Sequence, residues 1–161
     1  MLRCIRSKKV LLERKRMNKT FRVLAFLCLF VSLSAHSQSV EGKWRTIDDR
    51  NGITKAIVEL YKEDGLLQGK VVKIMEEGKE GARCIKCKGD LKDKPIEGMQ
   101  IIFSFKETSD GVFKGKKLFD PEQAMTFRGR IWLDPEDSDK LKVRGYLAFL
   151  YRTQTWLRVI E

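Results

Sequence analysis

Cys84 and Cys87 are the residues with the clearest chemical potential. They form a C-x-x-C pair in "GARCIKCKGD" (81–90), with Arg83, Lys86 and Lys88 around them. Two thiols at this spacing can close a disulfide, supply half of a zinc site or cycle as a redox centre. Redox catalysis needs a lowered thiolate pKa, which the neighbouring cations favour. It also wants the first cysteine at a helix N-terminus, and the glycine and proline of "KGDLKDKP" (88–95) oppose a helix there. A zinc ion needs four ligands and finds two. Asp90 and Asp93 would complete only an unusual site, unless two chains shared the ion. No metal and no cofactor is assigned. In an oxidising compartment the expectation is a Cys84–Cys87 disulfide. Its small ring is worth about 2 kcal/mol on the chain-entropy model, so it orders a loop more than it holds a fold.

The remaining candidates are sparse. Asp48 and Asp49 are adjacent, and in a strand adjacent side chains point to opposite faces, a poor arrangement for an acid/base pair. Tyr146 is a further titratable group. The single histidine is His36.

The fate of His36 depends on the N-terminus. From Met17 the chain reads "MNKTFRVLAFLCLFVSLSAHSQS". Lys19 and Arg22 precede an apolar run from Val23 to Leu33, and Ala35-His36-Ser37 is a small-x-small cleavage site. That is the layout of a secretory signal peptide (17–37), and its run is too short to span a bilayer. Cys28 lacks the preceding small residue of a lipoprotein cysteine. Residues 1–16 fit no targeting pattern and read as an over-called start. The expectation is an exported protein, periplasmic or secreted, whose mature chain is a single domain over 38–161 without a transmembrane segment. Without His36 it has no Ser-His-Asp or Cys-His mechanism and no histidine-based zinc centre.

The formal charge of +11 also changes on cleavage. Residues 1–37 carry nine Lys or Arg and one Glu, so 24 basic and 21 acidic residues remain, well interspersed. The long-range field that draws a chain to phosphates is then weak, and nucleic acid is not expected as a partner.

Strands separated by turns would have to position these groups. "TKAIVELY" (54–61) alternates Ala56, Val58 and Leu60 against Lys55 and Glu59, the period-two pattern of a half-buried strand. The same reading marks strands at 43–48, 67–75, 99–106, 112–119, 124–133, 140–147 and 152–160. It places Ile101, Phe103 and Phe105 on one face of the fourth, and Leu141, Val143 and Leu147 on one face of the seventh. Gly69, Gly115, Gly129 and Gly145 are expected to mark bends. Eight short strands joined almost throughout by hairpin turns make an all-β antiparallel meander, closed as a barrel or stacked as a sandwich, and the closed barrel, which leaves no sheet edge, is the expectation. Residues 76–98, around the cysteines, form one long charged connection.

"EGKWRT" (41–46) resembles the Gly-x-Trp signature of the first strand in lipocalin-like proteins, carried here by Gly42 and Trp44. The resemblance implies an arginine from the last strand packed over that tryptophan. Arg158, beside Trp156 in "TWLRV", is the candidate and Arg152 the alternative. More widely, "GKWRTIDD", "CIKCKGDLKDKPIEGM", "LFDPE", "LKVRGYLAF" and "RTQTWLRV" resemble a bacterial family, domain of unknown function 2147. It implies an exported small β-domain with no settled activity. Members often carry a "GGxxLDPxxGxxY" segment. Here the glycine and tyrosine after Asp120-Pro121 are absent.

Three functions are open at this point. A barrel of this size can be filled by side chains or can hold a small apolar or amphipathic ligand, with Asp48, Arg144, Tyr146 and Arg152 meeting its head group. The chain can be an envelope scaffold that uses the 76–98 loop as a contact surface. Thiol- or metal-dependent activity at the cysteines is the third. The non-catalytic binding module is the expectation, and no protein partner is assigned.

Overall fold

A computed structural model describes residues 39–108 and 111–160. The expected signal peptide and the segment before it lie outside the described residues. Among those described, eight antiparallel strands follow one another round a closed barrel. They are β1 (Gly42–Ile47), β2 (Thr54–Glu63), β3 (Leu66–Ile74), β4 (Gln100–Glu107), β5 (Phe113–Asp120), β6 (Met125–Leu133), β7 (Lys140–Leu147) and β8 (Leu150–Arg158). Each pairs with the next, and β8 returns to β1. The meander read from the alternation is thus the fold. In β2, Ala56, Val58 and Leu60 are buried. Asp64 and Gly65 take left-handed φ of 51° and 74°, as the tight hairpin between β2 and β3 requires.

β4 departs from the expected pattern. Ile102 and Phe105 are fully buried, whereas Phe103 is half-buried with Lys117 Nζ 3.8 Å from its ring centroid. Ile101, Phe103 and Phe105 therefore do not share one buried face. Ser104 is the cause: its φ of 52° breaks the pleat and resets the alternation. Its backbone N–H donates to the Gln68 side-chain oxygen at 2.9 Å, which also accepts from Gln100 at 2.8 Å. The irregularity is thus satisfied by a buried amide from β3.

The meander gives the barrel two different ends. The β2–β3, β4–β5 and β6–β7 turns gather at one, and that half is filled. Phe105 lies against Gly115 and Gly129, which are register partners on β5 and β6. A Cβ on Gly115 would sit 2.3 Å from the Phe105 ring, and one on Gly129 2.6 Å from it. A Cβ on Gly69 would come within 2.7 Å of Leu60 and 2.9 Å of Ile102. These glycines, expected as bends, make room for side chains across the barrel. Gly145 extends the same row on β7, yet a Cβ there would come no closer than 3.6 Å to the nearest side chain, Phe127.

Closure rests on three register pairs between β1 and β8. Arg158 reinforces them. Its guanidinium lies 4.2 Å from the Trp44 ring centroid and donates to the carbonyls of Ser39 (2.9 Å), Ser138 (3.2 Å) and Glu41 (3.3 Å). Its Nε is 3.3 Å from the Asp139 carboxylate. Trp44 donates its indole N–H to the Val40 carbonyl at 2.8 Å. Gly42, at φ 120°, brings the chain within 3.5 Å of Arg158 Nη1, measured from an ideal Cβ. Lysine cannot reproduce this planar fork. Arg158→Lys is expected to cost about 2 kcal/mol in urea unfolding, the scale of a lost charge-assisted hydrogen bond. Unchanged stability would show that the clasp is incidental.

Candidate functional site

The β1–β2, β3–β4, β5–β6 and β7–β8 connections meet at the other end of the barrel. That half is hollow, with a cavity of about 380 Å³. Val58, Val71, Ile101, Leu118, Phe127 and Val143 form apolar wall. Gly145 also lines it, and a missing side chain there leaves room. Buried Trp156 reaches the wall from β8.

The long 76–98 connection is built into this end. Ala82 and Ile96 line the cavity, and the Ile96 N–H donates to the Ala82 carbonyl at 2.9 Å. Cys84 and Cys87 lie at disulfide-bonding distance, with Cα atoms 5.3 Å apart, and both belong to the buried core. Cys84 Sγ touches the Pro121 carbonyl oxygen at 3.1 Å. The cysteine pair thus sits between the loop and the β5–β6 turn. In that turn Asp120 accepts the N–H groups of Glu122 and Gln123, while Ala124 takes a left-handed φ of 54°. The turn forms without a glycine at this left-handed position, at a local cost of roughly 1 kcal/mol.

Charged groups gather at the rim. Asp48 is buried, at 4% exposure, and its carboxylate accepts three bonds from Arg50: backbone N–H (3.0 Å), Nε (3.1 Å) and Nη2 (2.9 Å). Arg152 Nη2 is 3.4 Å from Asp48 and also pairs with Asp49. β1 ends at Ile47, so the two aspartates lie in the turn rather than on opposite faces of a strand, and one guanidinium reaches both. Lys55 Nζ pairs with Glu76 at 3.1 Å and Glu122 at 3.2 Å, with Asp48 4.0 Å away.

The Arg50 side-chain bonds, followed by its backbone N–H, hold Asp48 well below the usual carboxylate range, against the opposing effect of burial. Arg152 lowers Asp49 in the same way. Lys79 and Lys55 lower Glu76. A carboxylate with a folded pKa below its unfolded value adds stability that is fully present above the unfolded pKa, about 4, and is lost as pH falls through the folded one. Stability is therefore expected to be flat near neutrality and to fall from about pH 4 downwards. Asp48→Asn should make that acid limb shallower in a pH series of urea melts. An identical limb would mean that Asp48 does not carry it.

Asp48 and Arg152 lie in the lining, but Arg144 and Tyr146 do not. β7 turns Val143, Gly145 and Leu147 to the cavity, which leaves those two on the outer face. There Arg144 donates to Thr153 Oγ1 at 2.7 Å and stacks on Trp132 and Tyr151. Arg130 is its register partner, and Arg128 stands opposite Tyr146. Sequence reasoning missed Arg50, Lys55, Glu76 and Glu122. Arg50, Glu76 and Glu122 come from three connections and Lys55 from the start of β2, and only barrel closure brings them together.

Residues 42–158 match a family model described as "Uncharacterized protein conserved in bacteria (DUF2147)". The chain belongs to this family. No curated protein is similar enough to count as a match. Among solved structures, the chain is similar to protein HP1028 of Helicobacter pylori, described as belonging to the lipocalin family. The TM-score is 0.64 at 15% identity, over 76% of this chain and 84% of that one. At that identity the likeness concerns the fold. This member of the DUF2147 family is thus a lipocalin-like closed barrel, hollow at one end. Among its described residues no helix is long and apolar enough to cross a membrane.

Proposed function

We propose that the protein is an exported, non-catalytic binding module, periplasmic or secreted, that holds a small apolar or amphipathic ligand in the barrel. The half-filled interior carries this reading. One end is packed solid around Phe105, and the other keeps about 380 Å³ open behind a charged rim. That volume lies within the roughly 300–1,000 Å³ of small-molecule sites. The apolar tail rests against Leu118, Phe127 and Val143, and a polar head exchanges hydrogen bonds with Asp48, Arg50 or Arg152. A lipocalin-like fold supports the same use. The charge state of the rim favours binding over catalysis. The shifted rim carboxylates are all lowered, whereas a general acid working near neutrality needs a raised one. Full burial of Cys84 weighs against thiol exchange.

The test is mass spectrometry of protein exported by its own signal. The denatured mass is expected to show loss of residues 1–37 and of two hydrogens for Cys84–Cys87. The native mass is expected to carry an adduct that leaves on denaturation. A bare native chain, also unable to take up a fluorescent fatty acid, would count against the module. It would favour the scaffold reading, which is supported by Ile85, 71% exposed on the 76–98 loop.

A further inference from the structure

The β7–β8 hairpin ends in Leu147-Ala148-Phe149-Leu150-Tyr151, a run without a charge. Phe149 is 90% exposed, Tyr151 63%, Leu150 61% and Leu147 48%. Single exposed apolar residues are ordinary, but a contiguous group at one tip marks an interaction surface. Phe149 belongs neither to the core nor to the cavity lining.

What stands behind the tip identifies the partner. Tyr146 and Tyr151 are register partners with ring centroids 6.0 Å apart. Beyond them the Arg144 guanidinium lies 4.5 Å from the Tyr151 ring centroid, while the Arg128 side chain runs from beside Tyr146 toward the tip, where its Nη2 is 3.5 Å from the Ala148 carbonyl. Arg130 stands directly opposite Arg144. Like charges placed opposite one another destabilise a sheet. Among the described residues none of these three arginines pairs with a carboxylate, while Arg50 and Arg152 at the rim do. Along β7 and β8 the order from tip to base is apolar, aromatic, cationic, with Arg128 as a further cation beside the tip. That is the depth order of a bilayer leaflet: acyl chains, interface, phosphates. Arg144 is three residues behind Leu147, roughly 10 Å along a strand. Interfacial segments bury to a similar depth.

We propose that the β7–β8 hairpin docks the barrel on an anionic lipid bilayer. Phe149 and Leu150 enter the acyl layer, the two tyrosines sit at the interface, and Arg128, Arg130 and Arg144 meet lipid phosphates. Leu147, Leu150 and Tyr151 also line the cavity, so docking sets its mouth against the lipid. The contact does not depend on what the cavity holds.

Phe149→Trp in the full chain tests this locally, because the apolar run 23–33 could itself partition into vesicles. The probe is quenching by brominated acyl chains, compared with the same chain carrying Phe149. Quenching at the new tryptophan is expected with vesicles of mixed phosphatidylcholine and phosphatidylglycerol, and only weakly with phosphatidylcholine alone. Adding Arg128→Gln is expected to raise the lipid concentration for half-maximal quenching roughly fivefold, the effect of one basic residue at an anionic surface. Unchanged melting would show that both variants are folded. Equal quenching with and without the tryptophan at 149 would overturn the proposal. So would a Phe149-dependent dimer in light scattering without such quenching, which would give the tip to a second copy of the chain.

Discussion

Gly115→Ala is expected to destabilise the barrel by about 3 kcal/mol, the upper end of the cost of overpacking a core. The added Cβ would fall 2.3 Å from Phe105 Cδ2 and 2.6 Å from Cγ and Cε2. The ring has little room to retreat, because it also packs over Gly129, where an added Cβ would come within 2.6 Å of it, and the register of β5 against β6 holds the two glycines side by side. Shrinking the ring should relieve the clash. Phe105→Leu alone leaves a cavity and loses stability. Combined with Gly115→Ala, the losses are expected to fall short of their sum by about 1–3 kcal/mol, the coupling of residues in contact. Urea melts of the four chains measure this. A Gly115→Ala chain as stable as the parent would mean that Phe105 does not plug the barrel.

Gly145→Leu is expected to have the opposite character. The Cβ would meet Phe127 and Leu118 at 3.6–3.7 Å, ordinary contact, and the rest of the side chain would project into the cavity. Replacing a strand glycine and burying apolar carbon both favour the fold. The variant should melt no lower than the parent, yet bind a fluorescent fatty acid at least about tenfold more weakly, the loss expected when a space of a few methylenes is filled. Titration of parent and variant under the same conditions decides it. Equal affinity would place the ligand outside the barrel and remove the central argument for a binding module. Two glycines in one cross-strand row thus have contrasting uses. Gly115 gives its space to a phenylalanine, and Gly145 leaves its space open.

Arg144 and Tyr146 show where the reading of single residues stopped. Their polarity suggested a head-group contact. The alternation that put Leu141, Val143 and Leu147 on one face of β7 already placed them on the other. Asp48 and Asp49 show the reverse case. A strict pleat separates them, but a strand ending one residue earlier lets Arg152 bridge both.

Period-two alternation and turn residues were enough, by themselves, to determine an eight-strand antiparallel meander, and the resemblance of stretches such as "GKWRTIDD" and "CIKCKGDLKDKPIEGM" pointed to the family it belongs to. These signals are local: each concerns residues within one strand or one turn. Which half of the barrel is solid was decided only in three dimensions. So were the slip of β4 at Ser104, the burial of Cys84 against Pro121 and the convergence of Asp48, Lys55, Glu76, Glu122 and Arg152. All of these depend on register and closure. A ring of strands brings together residues far apart in the chain, and whether a glycine there accommodates a side chain or leaves a void depends on the neighbour opposite it.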